Sequence, residues 1–142
     1  MQERIQKILQ EFSKIPDWEM RYKKIIELGK ELSSMDEQNK IEANKVRGCQ
    51  SQVWLWATFD GTLVHFEADS DASITKGIVA LLVNVYSGST PDEILLTKPD
   101  FLTELGIREH LSMSRANGLN SMLKQITIYA MAFKAKYAMA NK

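Results

Sequence analysis

Apolar residues recur with two different periods along this chain, and the change of period divides it. Ile5, Ile8, Leu9 and Phe12 fall at i, i+3, i+4 and i+7, and Trp18, Tyr22, Ile25, Gly29 and Leu32 continue the helical spacing. Pro16 and Asp17 separate the two runs, which predicts two helices, the second with Asp17 at its N-cap and a stop at Ser33-Ser34. From Val53 to Ala68 the period becomes two. Asp60-Gly61 marks a two-residue hairpin turn in this stretch, because both central residues of such a turn need positive φ. That turn predicts the pairs Phe59 with Thr62, Ala57 with Val64, Leu55 with Phe66 and Val53 with Ala68, an entirely apolar face. The other face pairs Thr58 with Leu63, Trp56 with His65 and Trp54 with Glu67. The segment from Ala43 to Arg47 is short enough for a third, marginal strand.

Beyond the hairpin, "DSDASITKGIVALLVNVYSG" opens with polar and acidic residues and is apolar almost all round from Ile78 to Val83. It closes at Ser87-Gly88, as a buried helix would. Thr90-Pro91-Asp92-Glu93 reads as a capping box with proline at the first helical position, opening a short helix that Pro99 ends. A last long helix starts near Ser114 and carries Met122, Leu123, Ile126, Tyr129, Ala130, Phe133 and Tyr137 on one stripe. The sum is an α+β fold, helices packed on one face of a small antiparallel sheet of about three strands, in one domain spanning residues 1–142.

Composition narrows the function classes. With 44% hydrophobic and 25% charged residues, the chain can bury a core without disulfides or a structural metal. Eighteen basic residues balance eighteen acidic ones, so no excess positive charge serves a phosphate backbone or an anionic membrane, and neither nucleic acid nor membrane is an expected partner. The longest apolar run, Ile78 to Val83, is far short of the roughly 20 residues that cross a bilayer, which points to a cytoplasmic location.

A single cysteine, Cys49, stands in "KVRGCQSQVW". A free cysteine is often a small buried hydrophobe. Here Gly48 precedes it, Gln50 and Ser51 follow it, and Lys45 and Arg47 lie upstream, a polar, loop-like and locally positive setting that favours thiolate. The residues alone leave reactive and inert readings both open. One Cys with the unclustered His65 and His110 predicts no bound metal, and no family signature supports a Cys/His nucleophile pair. Arg115, in a helical first turn, opposes the macrodipole and reads either as a solvated residue or as one facing an anion. Asp71, at a helix start, reads by default as a cap.

"GCQSQVW" at Gly48 to Trp54, "DSDASITKGIVALL" at Asp69 to Leu82, "TPDEI" at Thr90 to Ile94 and "HLSMSRANGL" at His110 to Leu119 together resemble the SufE family of sulfur acceptors. Four separated motifs in order make the resemblance specific. Met113 departs from it, since the family usually has proline there. The resemblance implies a sulfur carrier and activator rather than an enzyme. It would take persulfide sulfur from a cysteine desulfurase onto Cys49, stimulate that desulfurase and deliver sulfur to an iron–sulfur cluster assembly scaffold. Pyridoxal phosphate would belong to the desulfurase, with no cofactor bound by this chain. Gly48, Gln50 and Ser51 would shape the loop and meet the partner, while Arg115 and Asp71 would hold that loop or meet the partner, with Arg115 as candidate latch and thiolate stabiliser. An iron–sulfur or metal scaffold and a purely regulatory desulfurase-binding protein are the alternatives. Monomer and homodimer are both open.

Overall fold

The computed structural model describes residues 1–140, with the side chain of Ala140 excepted. Seven α-helices and one antiparallel hairpin are formed among the described residues: α1 (Gln2–Ser13), α2 (Trp18–Glu31), β1 (Val53–Phe59), β2 (Val64–Ser70), α3 (Ser73–Tyr86), α4 (Pro91–Leu96), α5 (Asp100–Glu104), α6 (Ile107–His110) and α7 (Met113–Ala140). The fold is α+β, as the change of period predicts. Asp17 caps α2 by accepting from the Met20 N–H at 2.8 Å, and Thr90 and Glu93 form the reciprocal capping box of α4.

The hairpin differs from its expected register. Val53 pairs with Ser70, Leu55 with Ala68, Ala57 with Phe66 and Phe59 with Val64, so the connection is four residues, Asp60 to Leu63, rather than two. The cause is the Asp60 carboxylate, which accepts from the backbone N–H groups of Thr62 and Leu63 at 2.8 and 2.7 Å and draws both residues into the turn. The bond from Leu63, with those from His65 and Thr62, holds the Asp60 carboxyl down at about 2. Because the slip is by two, the apolar face is preserved: Val53, Leu55, Ala57, Val64, Phe66 and Ala68 are all buried.

The sheet has two strands among the described residues, which corrects the expected third. Residues Glu37–Asn39 and Glu42–Asn44 form single 3-10 turns, and the Asn44 side chain donates to the Asn39 carbonyl at 2.8 Å. The backbone is thereby engaged in local turns, leaving one bridge in which the Val46 N–H donates to the Val53 carbonyl at 2.8 Å.

Helix α3 is the centre of the core, between α2 and the hairpin, and its nearly all-round burial explains its nearly all-round apolar sequence. Its approach to α2 is possible because two glycines meet. A Cβ on Gly77 would lie 2.2 Å from the Ile25 carbonyl oxygen, and one on Gly29 would lie 2.8 Å from the Gly77 nitrogen. Helix α7 closes the other side, with Leu119, Met122, Ile126 and Ala130 buried and the Tyr129 hydroxyl donating to the Leu55 carbonyl at 3.0 Å.

Candidate functional site

Cys49 lies in the loop that joins the 3-10 turns to β1. The Val46–Val53 hydrogen bond pins the neck of that loop, so residues 47–52 form an excursion held at both ends. Gly48 turns the chain at φ +83°, a left-handed conformation that a side chain strains, and a Cβ there would come within 3.2 Å of the Ser121 hydroxyl on α7. The turn folds the loop onto α7.

The thiol is half-buried against that helix. Cys49 Sγ lies 3.7 Å from the Gly118 carbonyl oxygen, to which its S–H donates, and a Cβ on Gly118 would come within 3.1 Å of the sulfur. Glycine in the second turn of α7 thus makes the seat for the cysteine. Burial pushes the thiol pKa up. The upstream cations do not reverse this: Arg47 is exposed, and Lys45 pairs with Glu42 at 3.0 Å and sits 6.0 Å from the centre of the Trp54 ring. The expectation of a locally positive setting that favours thiolate is therefore corrected, because desolvation decides the shift.

Asp71 does not cap α3. The N-cap is Ala72, with no side-chain cap hydrogen bond, and the Asp71 carboxylate instead accepts from the backbone N–H and the side-chain amide of Gln52 at 3.0 and 3.2 Å. The Ser70 hydroxyl and the Asp71 N–H both donate to the Gln52 carbonyl, at 2.7 and 3.3 Å. The far end of the Cys49 loop is fastened to the end of β2 by four hydrogen bonds centred on one residue.

A cavity of about 290 Å³ opens beside the thiol. Cys49, Gln50 and Ser51 line it from the loop, Thr75 and Ile78 from α3, and Ser114, Arg115, Gly118 and Met122 from α7. Four of the six residues singled out from the sequence, Cys49, Gln50, Ser51 and Arg115, meet in this space, while Gly48 and Asp71 shape the loop that walls it. Arg115 is exposed, and the hydroxyl of Ser112 accepts from its backbone N–H at 3.3 Å. Its guanidinium has no hydrogen bond or ion pair among the described residues. The fastening expected of Arg115 is made by Asp71.

His65 and His110 stand outside the cavity. His65 Nε2 lies 3.0 Å from the Asp60 carboxylate, and His110 bonds the Gly106 carbonyl at 2.8 Å while stacking on Trp18. Among the described residues, no three His, Cys, Asp or Glu side chains converge to hold a metal ion. Met113, where proline was expected, is the first residue of α7 and is 82% exposed.

Three contributors were missed in the sequence: Gln52, Thr75 and Gly118. Only Gly118 left a signal, since a glycine inside a helical stretch costs about 1 kcal/mol against alanine and therefore asks for a packing reason. Gln52 and Thr75 acquire their roles from partners far away in the chain.

The SufE domain model, described as an Fe-S metabolism associated domain, matches residues 6–130. The chain is 41% identical over 128 residues to an uncharacterized SufE-like protein of Synechocystis sp., covering 90% of this chain and 80% of that protein. It is 43% identical over 127 residues to an uncharacterized SufE-like protein of Rhizobium meliloti, covering 86% and 91% respectively. The solution structure of a hypothetical protein from Thermus thermophilus matches with a TM-score of 0.78 and 21% identity, over 93% of this chain and 96% of that one, a likeness of fold.

Proposed function

The chain belongs to the SufE family, and from that premise we propose that it accepts persulfide sulfur from a pyridoxal-phosphate cysteine desulfurase onto Cys49. It stimulates the desulfurase by draining it and passes the sulfur to an iron–sulfur cluster assembly scaffold. The observation that carries this reading is the seating of the chain's single cysteine in a pinned loop, half-buried, beside a polar-walled cavity.

In the transfer, the Cys49 sulfur attacks the outer sulfur of the donor persulfide. A new S–S bond forms at Cys49, the donor's S–S bond breaks, and its electron pair leaves on the donor cysteine as thiolate. The proton lost by Cys49 is taken up by that thiolate, so the step needs no oxidant or reductant. Attack requires thiolate, which burial disfavours at rest, so exchange of the loop's contacts for partner contacts is part of the reaction. Solitude suits the task. A second thiol would attack the new persulfide, close a disulfide and release sulfide.

Intact mass spectrometry after incubation with a cysteine desulfurase and cysteine tests the reading. Cys49 is expected to gain sulfur as a persulfide that a reductant removes, and Cys49→Ser to bind the desulfurase yet accept nothing. Transfer that persists in the serine variant sinks the carrier reading. Full stimulation without any transfer favours the purely regulatory one.

A further inference from the structure

Asn44, Thr75 and Ser89 are the buried polar residues among those described, and two of them are accounted for. The Asn44 amide donates to the Asn39 carbonyl, and the Ser89 hydroxyl accepts from Arg4. Thr75 is 7% exposed, and its hydroxyl has no hydrogen-bond partner among the described residues. Thr97 and Thr127, by contrast, return theirs to the carbonyl four residues back. A hydroxyl with no protein partner in a residue this enclosed is free to donate to a group bound beside it. The little surface that Thr75 retains includes this oxygen, since Trp54 Nε1 is the one fully enclosed side-chain nitrogen or oxygen without a hydrogen bond among the described residues. Thr75 lines the Cys49 cavity.

The surroundings favour negative charge. Thr75 stands in the first turn of α3, a helix whose N-terminus lacks a side-chain cap, and helical side chains lean toward that end. On the facing wall, Ser114 and Arg115 stand in the first turn of α7. The unloaded thiol has little use for such a lining, because burial keeps it protonated and its hydrogen points to the Gly118 carbonyl. A persulfide differs. It is a stronger acid than a thiol, and its charge sits on the outer sulfur, about 2 Å beyond Sγ, next to the cavity.

We infer that Thr75 donates a hydrogen bond to the outer sulfur of the Cys49 persulfide and holds it as an anion in this cavity, so that the site is built for its cargo. The inference rests on reading Cys49 as the sulfur acceptor, and it names the residue that retains what is accepted. No bond other than O–H···S is made or broken.

The test loads Cys49 with inorganic polysulfide, so that no desulfurase is needed. The thiolate attacks a polysulfide sulfur, and a shorter polysulfide leaves. Alkylation is then followed by mass spectrometry across pH in the wild type, Thr75→Val and Thr75→Ser, for the persulfide and for the unloaded thiol. Losing a hydrogen bond to the charged form raises its pKa. Thr75→Val is expected to raise the persulfide midpoint by about one pH unit and to speed its loss to a small thiol about tenfold. Thr75→Ser stays near the wild type, and the unloaded thiol titrates alike in all three. If the valine variant fails to fold, Thr75→Ala carries the same readouts. A wild-type midpoint and lifetime in Thr75→Val overturns the inference. So does an unloaded thiol that moves as far as the persulfide, or a wild-type persulfide no longer-lived than that of free cysteine. A wild type that takes sulfur from polysulfide but never from a desulfurase overturns the transfer reading alone.

Discussion

The Asp71 carboxylate grips Gln52 twice, through the backbone N–H at 3.0 Å and the side-chain amide at 3.2 Å, and so fastens the loop that carries Cys49 to the end of β2. Asp71→Ala removes both bonds at an exposed position, so global stability should fall by only about 1 kcal/mol. The local effect is larger. Amide hydrogen exchange across residues 48–52 and Cys49 alkylation should both quicken several-fold, with Asp71→Asn intermediate because it keeps one acceptor. Unchanged exchange in the alanine variant would show that the neck bond and the two bonds to the Gln52 carbonyl hold the loop without the carboxylate.

Gly118 leaves room for the sulfur, and a Cβ there would stand 3.1 Å from Cys49 Sγ. In Gly118→Ala the gain in helix propensity, up to about 1 kcal/mol, opposes the displacement of the cysteine. The melting temperature should therefore move little while Cys49 alkylation accelerates. Alkylation at the wild-type rate would mean that the helix, not the loop, gives way.

The pH dependence of Cys49 follows from burial, which raises its pKa in the folded state. The unfolded thiol loses its proton first, so the native state's advantage is complete below the unfolded pKa and declines as pH rises toward the folded one. Alkylation of the folded protein should have its midpoint above that of an unfolded control, and denaturant stability should fall over that alkaline window. Cys49→Ala should make the fall shallower, the remainder coming from Tyr86 and Tyr129, whose burial also raises their pKa.

Arg115 lines the cavity without bonding the loop. Arg115→Ala is expected to leave the melting temperature within about 1 °C, the range of a surface change, while moving the alkylation midpoint of Cys49 further upward. A variant profile that matches the wild type's both with and without a desulfurase would return Arg115 to the role of a solvated helix-start residue.

Met113 occupies the first position of α7 and is exposed. Proline suits that position, because the missing N–H is unpaired there in any case. Met113→Pro should stabilise the protein by about 0.5–1 kcal/mol through the unfolded chain, as measured by chemical denaturation. Destabilisation would show that Ser112 cannot adopt the extended backbone that a following proline asks of it.

What the chain determined by itself is what local physics decides. The two periods of apolar residues, the Asp17 cap and the Thr90–Glu93 box depend on neighbours within a few positions, and the structure has each of them. The hairpin's faces were legible for the same reason, since a slip by two leaves every side chain on its side of the sheet. Its register was not, because the Asp60 side chain competes for backbone donors in a way that alternation does not encode. The site divides along the same line. Cys49 and its glycine announce themselves in sequence, but the thiol's raised pKa comes from α7, and the Asp71 grip joins residues 19 positions apart. Thr75, Arg115 and Cys49 share a cavity because α3 and α7 pack beside the loop. Burial and partnership across such distances depend on where helices cross, and tertiary packing alone decides that.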